Sequence, residues 1–242
     1  MTDRVPPVQA LEHAKEIGWY HTLELAPGHV TPGMFDLRDQ IGNYGLPERL
    51  DGMRALDVGT WDGFWAFEME RRGAEVVALD IDDERDLDWP PRRRPATYPE
   101  GPRGSGFRIA PELYGSSVER VNLSIYDATP KELGTFDLIF CGSVLVHLRD
   151  QLLALERIAG LCHGTFISAE EYDRPTSLLP FPASRYLADR DSDVVFWLPS
   201  IKTWKRLLWS AGFDRVERHS RFKLEARAGW SVPHVVYHAH KS

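Results

Sequence analysis

An α/β fold built on an open, mostly parallel sheet is what three observations predict. Short apolar runs recur with the length of buried strands, amphipathic stretches at helical spacing separate several of them, and glycines at 59 and 63 frame the turn from the first run into its helix. Residues 53–58 (MRALDV) form the first strand. Residues 62–72 carry Phe64, Trp65, Phe67 and Met69 at helical spacing, and 75–81 (EVVALDI) form the second strand. A strand–helix–strand unit of this kind sets its strands parallel. Residues 118–125, 136–141 (FDLIFC) and 164–169 (GTFISA) extend the sheet, with a helix over 150–159 between the last two. Ser200 caps a further helix that runs to Ala211 and stops at Gly212. Strands near 213–224 and 232–239 close the chain, the last expected to run antiparallel. The sum is a Rossmann-like sheet with helices on both faces, and no internal repeat is evident.

Two stretches interrupt the alternation. Residues 82–106 (DDERDLDWPPRRRPATYPEGPRGSG) have no apolar period and read as a long insertion loop. Flanking acids offset the PPRRRP segment, so a solvated loop is preferred to a phosphate site. Residues 172–198 set Pro175, Pro180 and Pro182 among Phe181, Tyr186, Phe196 and Trp197. Prolines exclude a long helix and the aromatics imply packing, which suggests a lid over a substrate. The expected organisation is a cover segment, 1–50, and one domain, 51–242, carrying both insertions.

Composition narrows the function. A chain of 242 residues with 43% hydrophobic content can bury one sizeable core. Its formal charge of -7 gives a polyanion little to bind, which makes a nucleic-acid partner less expected. Cys141 and Cys162 show no metal-ligand spacing and read as buried thiols. The N-terminal stretch lacks the apolar core of a signal peptide and no run of 18 apolar residues occurs, so a cytoplasmic protein without a membrane partner is expected. His238 and His240 alternate on one strand face like a metal pair, but no third ligand stands out and no metal is expected.

The glycine turn is the candidate site. At the carboxyl end of the first strand, Gly59 lets a ligand approach the backbone and Gly63 lets the helix start tight against it. The spacing is Gly-x-x-x-Gly, without the Gly-x-Gly-x-x-Gly of pyrophosphate binders, and Asp57 precedes it. These features favour a ligand with a cationic amino-acid end, although Asp57 could also simply cap the turn. Asp80 ends the second strand, where a carboxylate can accept both hydroxyls of an adenosine ribose. Asp127, in SIYDAT, can accept from an adenine amino group.

The stretch LDVGTWDGFWAFEMERRGAEVVALD resembles the first two motifs of class I S-adenosylmethionine-dependent methyltransferases. GWYHTLELAPGHVTPGMFD, YGSSVERVNLSIYDATPKELGTFDLIFCGSVLVHLRD and FWLPSIKTWKRLLWSAGF further resemble the subfamily that modifies the wobble uridine of tRNA at its 5-oxy group. The resemblance implies S-adenosyl-L-methionine as cofactor. It implies that Gly59, Thr60, Trp61 and Gly63 line the methionine and ribose portion, that Asp80 holds the ribose with Ile81 beside the adenine, and that Tyr126 and Asp127 frame the other adenine edge. Gly142 and Ser143 would face the methionine and sulfonium, and the cover bearing Trp19, Tyr20 and His21 would fold over the cofactor. Subfamily members that take carboxy-S-adenosylmethionine hold its extra carboxylate with an N-terminal lysine, a tyrosine before the histidine after strand four, and a C-terminal arginine. Here WYH offers no lysine, Val146 precedes His147, and His234 stands where the arginine would fall. Each lost charge-assisted bond is worth about 1.5 to 3 kcal/mol, so plain S-adenosylmethionine is the expected donor.

Methyl transfer from a sulfonium needs alignment and, for an oxygen or nitrogen acceptor, a base. His147 is the first candidate, with the alternative of a structural histidine at a helix start, and Glu170 and His21 stand behind it. Glu170 and Glu171 are adjacent at a strand's carboxyl end, so their side chains take opposite faces and only one can serve the site. The expected enzyme methylates a small-molecule acceptor. A tRNA wobble-uridine methyl or carboxymethyl transferase and a non-catalytic S-adenosylmethionine-binding module are the alternatives.

Overall fold

The computed structural model describes residues 8–189 and 194–241. Its centre is a seven-stranded sheet: β1 (Arg54–Val58), β2 (Glu75–Asp80), β3 (Glu119–Asn122), β4 (Phe136–Gly142), β5 (Cys162–Glu171), β6 (Arg215–Glu225) and β7 (Ser231–His240), in the order β6-β7-β5-β4-β1-β2-β3. The pairings β3-β2-β1-β4-β5 are parallel, while β7 runs antiparallel between β5 and β6. The last strand is antiparallel as predicted, but it lies inside the sheet. Its core-facing residues explain this, since Val235, Val236, Tyr237 and Ala239 are all buried whereas β6 is largely exposed.

Among the helices that flank the sheet are α1 (Phe64–Arg71), α2 (Ala110–Tyr114), α3 (Gln151–Leu161) and α4 (Ile201–Ser210). Asp150 caps α3 by accepting from Leu153 N at 3.0 Å, and Ser200 caps α4 by accepting from Thr203 N at 3.2 Å. Trp65, Met69, Phe140, Ile167 and Val236 pack on one sheet face together with Trp19, Leu23, Leu25 and Phe35 of the N-terminal segment. Phe136, Ile139, Phe166 and Tyr237 pack on the other with Trp204 and Leu208 of α4. Cys141 and Cys162 are buried and unbridged.

The N-terminal segment is bound into this fold along its length: near its end Arg72 donates to Leu46 O and Pro47 O and His238 Nε2 lies 3.0 Å from Tyr44 O, and two further contacts hold its earlier part. Asp62, at the start of the helical region, accepts the backbone N–H of Tyr20 (2.6 Å) and of His21 (3.0 Å). The turn between β6 and β7 takes the stretch around Phe35: Arg227 donates to Gly33 O, Ala226 bridges Phe35, and Trp230 meets the Phe35 ring edge-on.

The arginine-rich stretch departs from its solvated-loop reading. It folds through short 3-10 turns at Glu84–Asp86, Pro91–Arg93 and Ser105–Arg108. Arg103 pairs with Glu84 and lies over the Trp61 ring at 4.2 Å, with its side chain only 10% exposed. Asp82 takes Arg108 and Arg120 at 2.9 and 2.8 Å. Carboxylates that look like mere charge compensation in the sequence thus become specific partners. Arg92 and Arg94 are the arginines of PPRRRP that stay exposed.

Residues 172–189 and 194–199 hold the short helix Arg174–Ser177 and an antiparallel pair, Ser184–Tyr186 with Trp197–Pro199. Residues 190–193 of the lid-like stretch and 1–7 of the cover lie outside the described residues. The two insertions meet: Ala188, Val194 and Phe196 form a small cluster against Trp89, and Arg93 donates to Ala188 O at 3.2 Å.

Candidate functional site

Chain direction across the sheet reverses between β1 and β4. From β1 the chain builds outward through β2 and β3, and from β4 it builds the other way through β5. The crevice at the carboxyl ends of such a strand pair is where open α/β sheets place ligands. Trp61 (φ 47°) after β1 and Ser143 (φ 58°) after β4 are the non-glycine residues with positive φ among the described residues, and both border this crevice. The turns touch: a Cβ on Gly59 (φ 76°) would lie 2.2 Å from Val144 Cγ2, and one on Gly63 (φ 89°) 2.4 Å from the Phe67 ring. Both glycines are therefore required by backbone and packing, before any ligand is considered.

Asp80 closes β2 beside the turn, accepting from Trp61 N with one oxygen and from Ile81 N with the other, each at 2.8 Å. Burial raises its pKa. A carboxylate oxygen has two lone-pair sites, so Asp80 can hold this turn and still accept ribose hydroxyls. Asp57 is buried and accepts from Ala66 N at 3.1 Å, and burial pushes its pKa up to about 7. The capping role is the one with a bond in place. Thr60 is buried within the turn, and Ile81 is half-buried.

Asp62 was not singled out by sequence. It is fully buried, burial pushes its pKa up to about 6, and one oxygen lacks a protein partner. An acid following a glycine turn at a helix start looks like a local cap. Its actual partners lie about forty residues upstream. They bring Tyr20 onto Trp61, ring centroids 5.2 Å apart, so Trp61 sits between Tyr20 and Arg103. Trp19 is buried and donates its indole N–H to Ala14 O.

His21 corrects one expectation. Its ring packs against Phe64 and Tyr20, and burial pushes its pKa down to about 3. It is a neutral core histidine, poorly placed to take up a proton. Glu170 is likewise buried and pushed up to about 8, so it is protonated at neutral pH. Its Oε1 accepts from Val144 N (3.3 Å) and Leu145 N (3.2 Å), holding the loop after β4, while Oε2 has no protein partner. Glu171 is half-buried on the opposite face. His147 fares differently: Nδ1 donates to Val194 O, which leaves Nε2 as the acceptor nitrogen.

Tyr126 directs its hydroxyl to partners other than the two turns. The Tyr126 hydroxyl donates to Asp88 Oδ2 (2.6 Å) and accepts from Asp150 N (3.0 Å), tying the arginine-rich loop to the start of α3. Burial holds this phenol above its ordinary pKa. Asp127 is exposed. Gly142 continues β4 opposite Ala169, and Ser143 Oγ lies 2.8 Å from Nε2 of His234, a residue the sequence marked only as a missing arginine.

The family model described as a methyltransferase domain matches residues 29–218, most of the chain and every strand up to the start of β6. The chain belongs to this family. The methyltransferase is 29% identical over 168 residues to a tRNA U34 carboxymethyltransferase of Desulforapulum autotrophicum, covering 67% of this chain and 45% of that protein. It is 32% identical over 104 residues to a magnesium-protoporphyrin O-methyltransferase of Rhodobacter capsulatus, covering 43% of this chain and 38% of that protein. The chain thus spans less than half the length of these curated relatives. Among solved structures it resembles the N-terminal domain of EvdMO1 with SAH bound, with a TM-score of 0.66 at 18% identity, covering 100% of this chain and 98% of that one. The chain shares the Rossmann-like fold of that neighbour, which was crystallised with S-adenosylhomocysteine, the product form of S-adenosylmethionine. Its residues fit that cofactor: a carboxylate with spare acceptor sites ends β2, and two turns of positive φ face each other across the strand pair. Among the described residues no helix is long and apolar enough to cross a membrane.

Proposed function

We propose that this methyltransferase transfers a methyl group to an oxygen or nitrogen of a small-molecule acceptor. The observation that carries the reading is the meeting of the Gly59–Trp61 and Ser143–Val144 turns at the strand reversal, with Asp80 beside one and His147 four residues beyond Ser143. The bound donor supplies an electrophilic methyl on sulfur. Asp80 holds its ribose, Gly59, Thr60, Trp61 and Gly63 shape the turn around it, and Ile81 flanks the adenine, with Tyr126 and Asp127 nearer its outer edge. Residues 1–50 act as a cover, tethered through Asp62 and Arg227. His147, its tautomer set by Val194 O, accepts the acceptor's proton at Nε2. Asp57 and Glu170 hold backbone, and Gly142 and Ser143 face the methionine.

The acceptor enters beside residues 172–189 and 194–198; Phe196 docks on the His147 loop by donating its N–H to Val146 O at 2.9 Å. Phe181, Tyr186 and Trp197 are exposed there, a surface suited to a ring-bearing acceptor. The relatives' names include both a tRNA and a porphyrin substrate. The net charge of -7 and the internal pairing of Arg103, Arg108 and Arg120 support the small molecule. Labelled S-adenosylmethionine incubated with the protein and separate panels of phenols, sugars, porphyrins and unmodified tRNA tests this. Label in a small molecule is expected. Label in tRNA alone would move the tRNA reading to first place, and binding without transfer to any panel would favour a sensor.

A further inference from the structure

We propose that His234 is a positioning residue for the cationic methionine end of the donor, acting through the hydroxyl of Ser143. The proposal deepens the cofactor reading above and rests on it, since it requires the turn after β4 to face the methionine.

His234 sits on β7, opposite Glu171 of β5 and Phe222 of β6, and is 1% exposed. Its Nδ1 lies 3.3 Å from Val232 O and its Nε2 2.8 Å from Ser143 Oγ. A carbonyl can only accept, so Nδ1 carries the proton and Nε2 is left as an acceptor. The Ser143 hydroxyl must therefore donate its one proton to His234. Its oxygen then has only lone pairs to offer elsewhere. The Ser143 backbone is held as well: its N–H donates to Ala169 O at 2.9 Å, and its φ of 58° is one that few side-chain-bearing residues adopt. A freely rotating serine could turn its proton toward a ligand; this one cannot. A run of hydrogen bonds from Val232 O through His234 to Ser143 polarises the oxygen in the direction a sulfonium and an α-ammonium group prefer. Burial that keeps His234 neutral, with its pKa pushed down to about 4, maintains the direction of the run.

The role is specific to a neutral acceptor ring. A cation at this position would compete with a positively charged ligand end and would suit an anion instead. His234 also stacks on Phe222, with centroids 5.7 Å apart, so a purely structural role would depend on ring packing and not on Nε2.

Calorimetric titration of S-adenosylmethionine into the wild type and the variants Ser143→Ala, His234→Phe, His234→Gln and Asp80→Asn separates these roles. Phenylalanine keeps the ring and removes the acceptor; glutamine keeps an acceptor and removes the ring. The expected result is affinity about five- to tenfold weaker for Ser143→Ala and for His234→Phe, near wild type for His234→Gln, and no further loss when Ser143→Ala and His234→Phe are combined. Wild-type affinity in Ser143→Ala or in His234→Phe, or additive losses in the double variant, would overturn the proposal while Asp80→Asn still loses affinity. If Asp80→Asn also binds normally, the cofactor reading itself has failed. Should His234→Phe not fold, the ¹⁵N shift of His234 Nε2 in the wild type decides: it moves on adding S-adenosylmethionine if the run is used, and an unmoved shift overturns the proposal.

Discussion

Asp80 holds the turn through both oxygens and, in the function proposed above, the ribose as well. Alanine there would strip Trp61 N and Ile81 N of their acceptor and perturb the turn as well as the ribose site. Asparagine keeps the shape and one acceptor oxygen. Asp80→Asn should weaken S-adenosylmethionine roughly tenfold or more with a smaller fall in Tm than Asp80→Ala, as calorimetry and thermal melts will show. Glu170 makes a prediction of opposite character. Its folded pKa of about 8 lies above that of an unfolded glutamate, so the folded state keeps a proton that the unfolded chain has released. Its contribution to stability is complete below about pH 4 and is lost as pH rises through about 8. Glu170→Gln, permanently neutral, should escape that loss. The Tm of the wild type relative to this variant should fall between pH 5 and roughly 8, and parallel Tm curves would remove the carboxyl from the account. Among individual residues, Asp80 was legible because a strand followed by an acid is a local pattern. Asp62 and His234 were not, because their partners, Tyr20 and Ser143, are set by chain crossings that no local window contains.

At the scale of elements, strands and helices followed their patterns to within a few residues. Buried runs and caps such as Ser200 and Asp150 encode them locally. Among the exceptions, 118–125 shrank to Glu119–Asn122, an edge strand of mixed exposure whose following apolar residues leave the ladder, and α2, Ala110–Tyr114, had not been expected. The insertions were read as interruptions and not as partners of one another. Trp89, Phe196 and Arg93 had no periodicity to betray their contact. The cover makes a testable element. Asp62→Ala removes the two bonds that hold Tyr20 and His21, and Trp61 loses the support that presses Tyr20 against it. Amide exchange over residues 20–35 should quicken by about tenfold or more while the amides of β1 and β4 keep their protection. Uniform loss of protection would mean that Asp62 stabilises the whole domain and not the cover alone.

The whole molecule bears on which donor fits. Val146 and His234 are buried without charge where relatives of the carboxylated-donor type were expected to place a phenol and a cation. The arginines that could replace them are engaged: Arg185 with Asp173 at 2.8 Å, Arg227 with Gly33 O and Thr22 Oγ1, and Arg149 with Trp89 O. An added carboxylate would lose water without gaining a cation. In competition binding, S-adenosylmethionine should therefore outbind its carboxylated form by roughly tenfold or more. Tighter binding of the carboxylated donor would return wobble-uridine carboxymethylation to the front.

Period, apolar run length and turn chemistry act over a few residues, and so the sequence by itself determined an open α/β sheet, its helices, the glycine turn after β1 and the acid that ends β2. These features need only neighbours along the chain. The place of β7 inside the sheet, the clamp of Asp62 on the cover, the burial that disqualifies His21 as a base, and the bond between Ser143 and His234 were decided only in three dimensions. Each depends on what a strand packs beside, and desolvation and hydrogen-bond geometry exist only once distant segments have met.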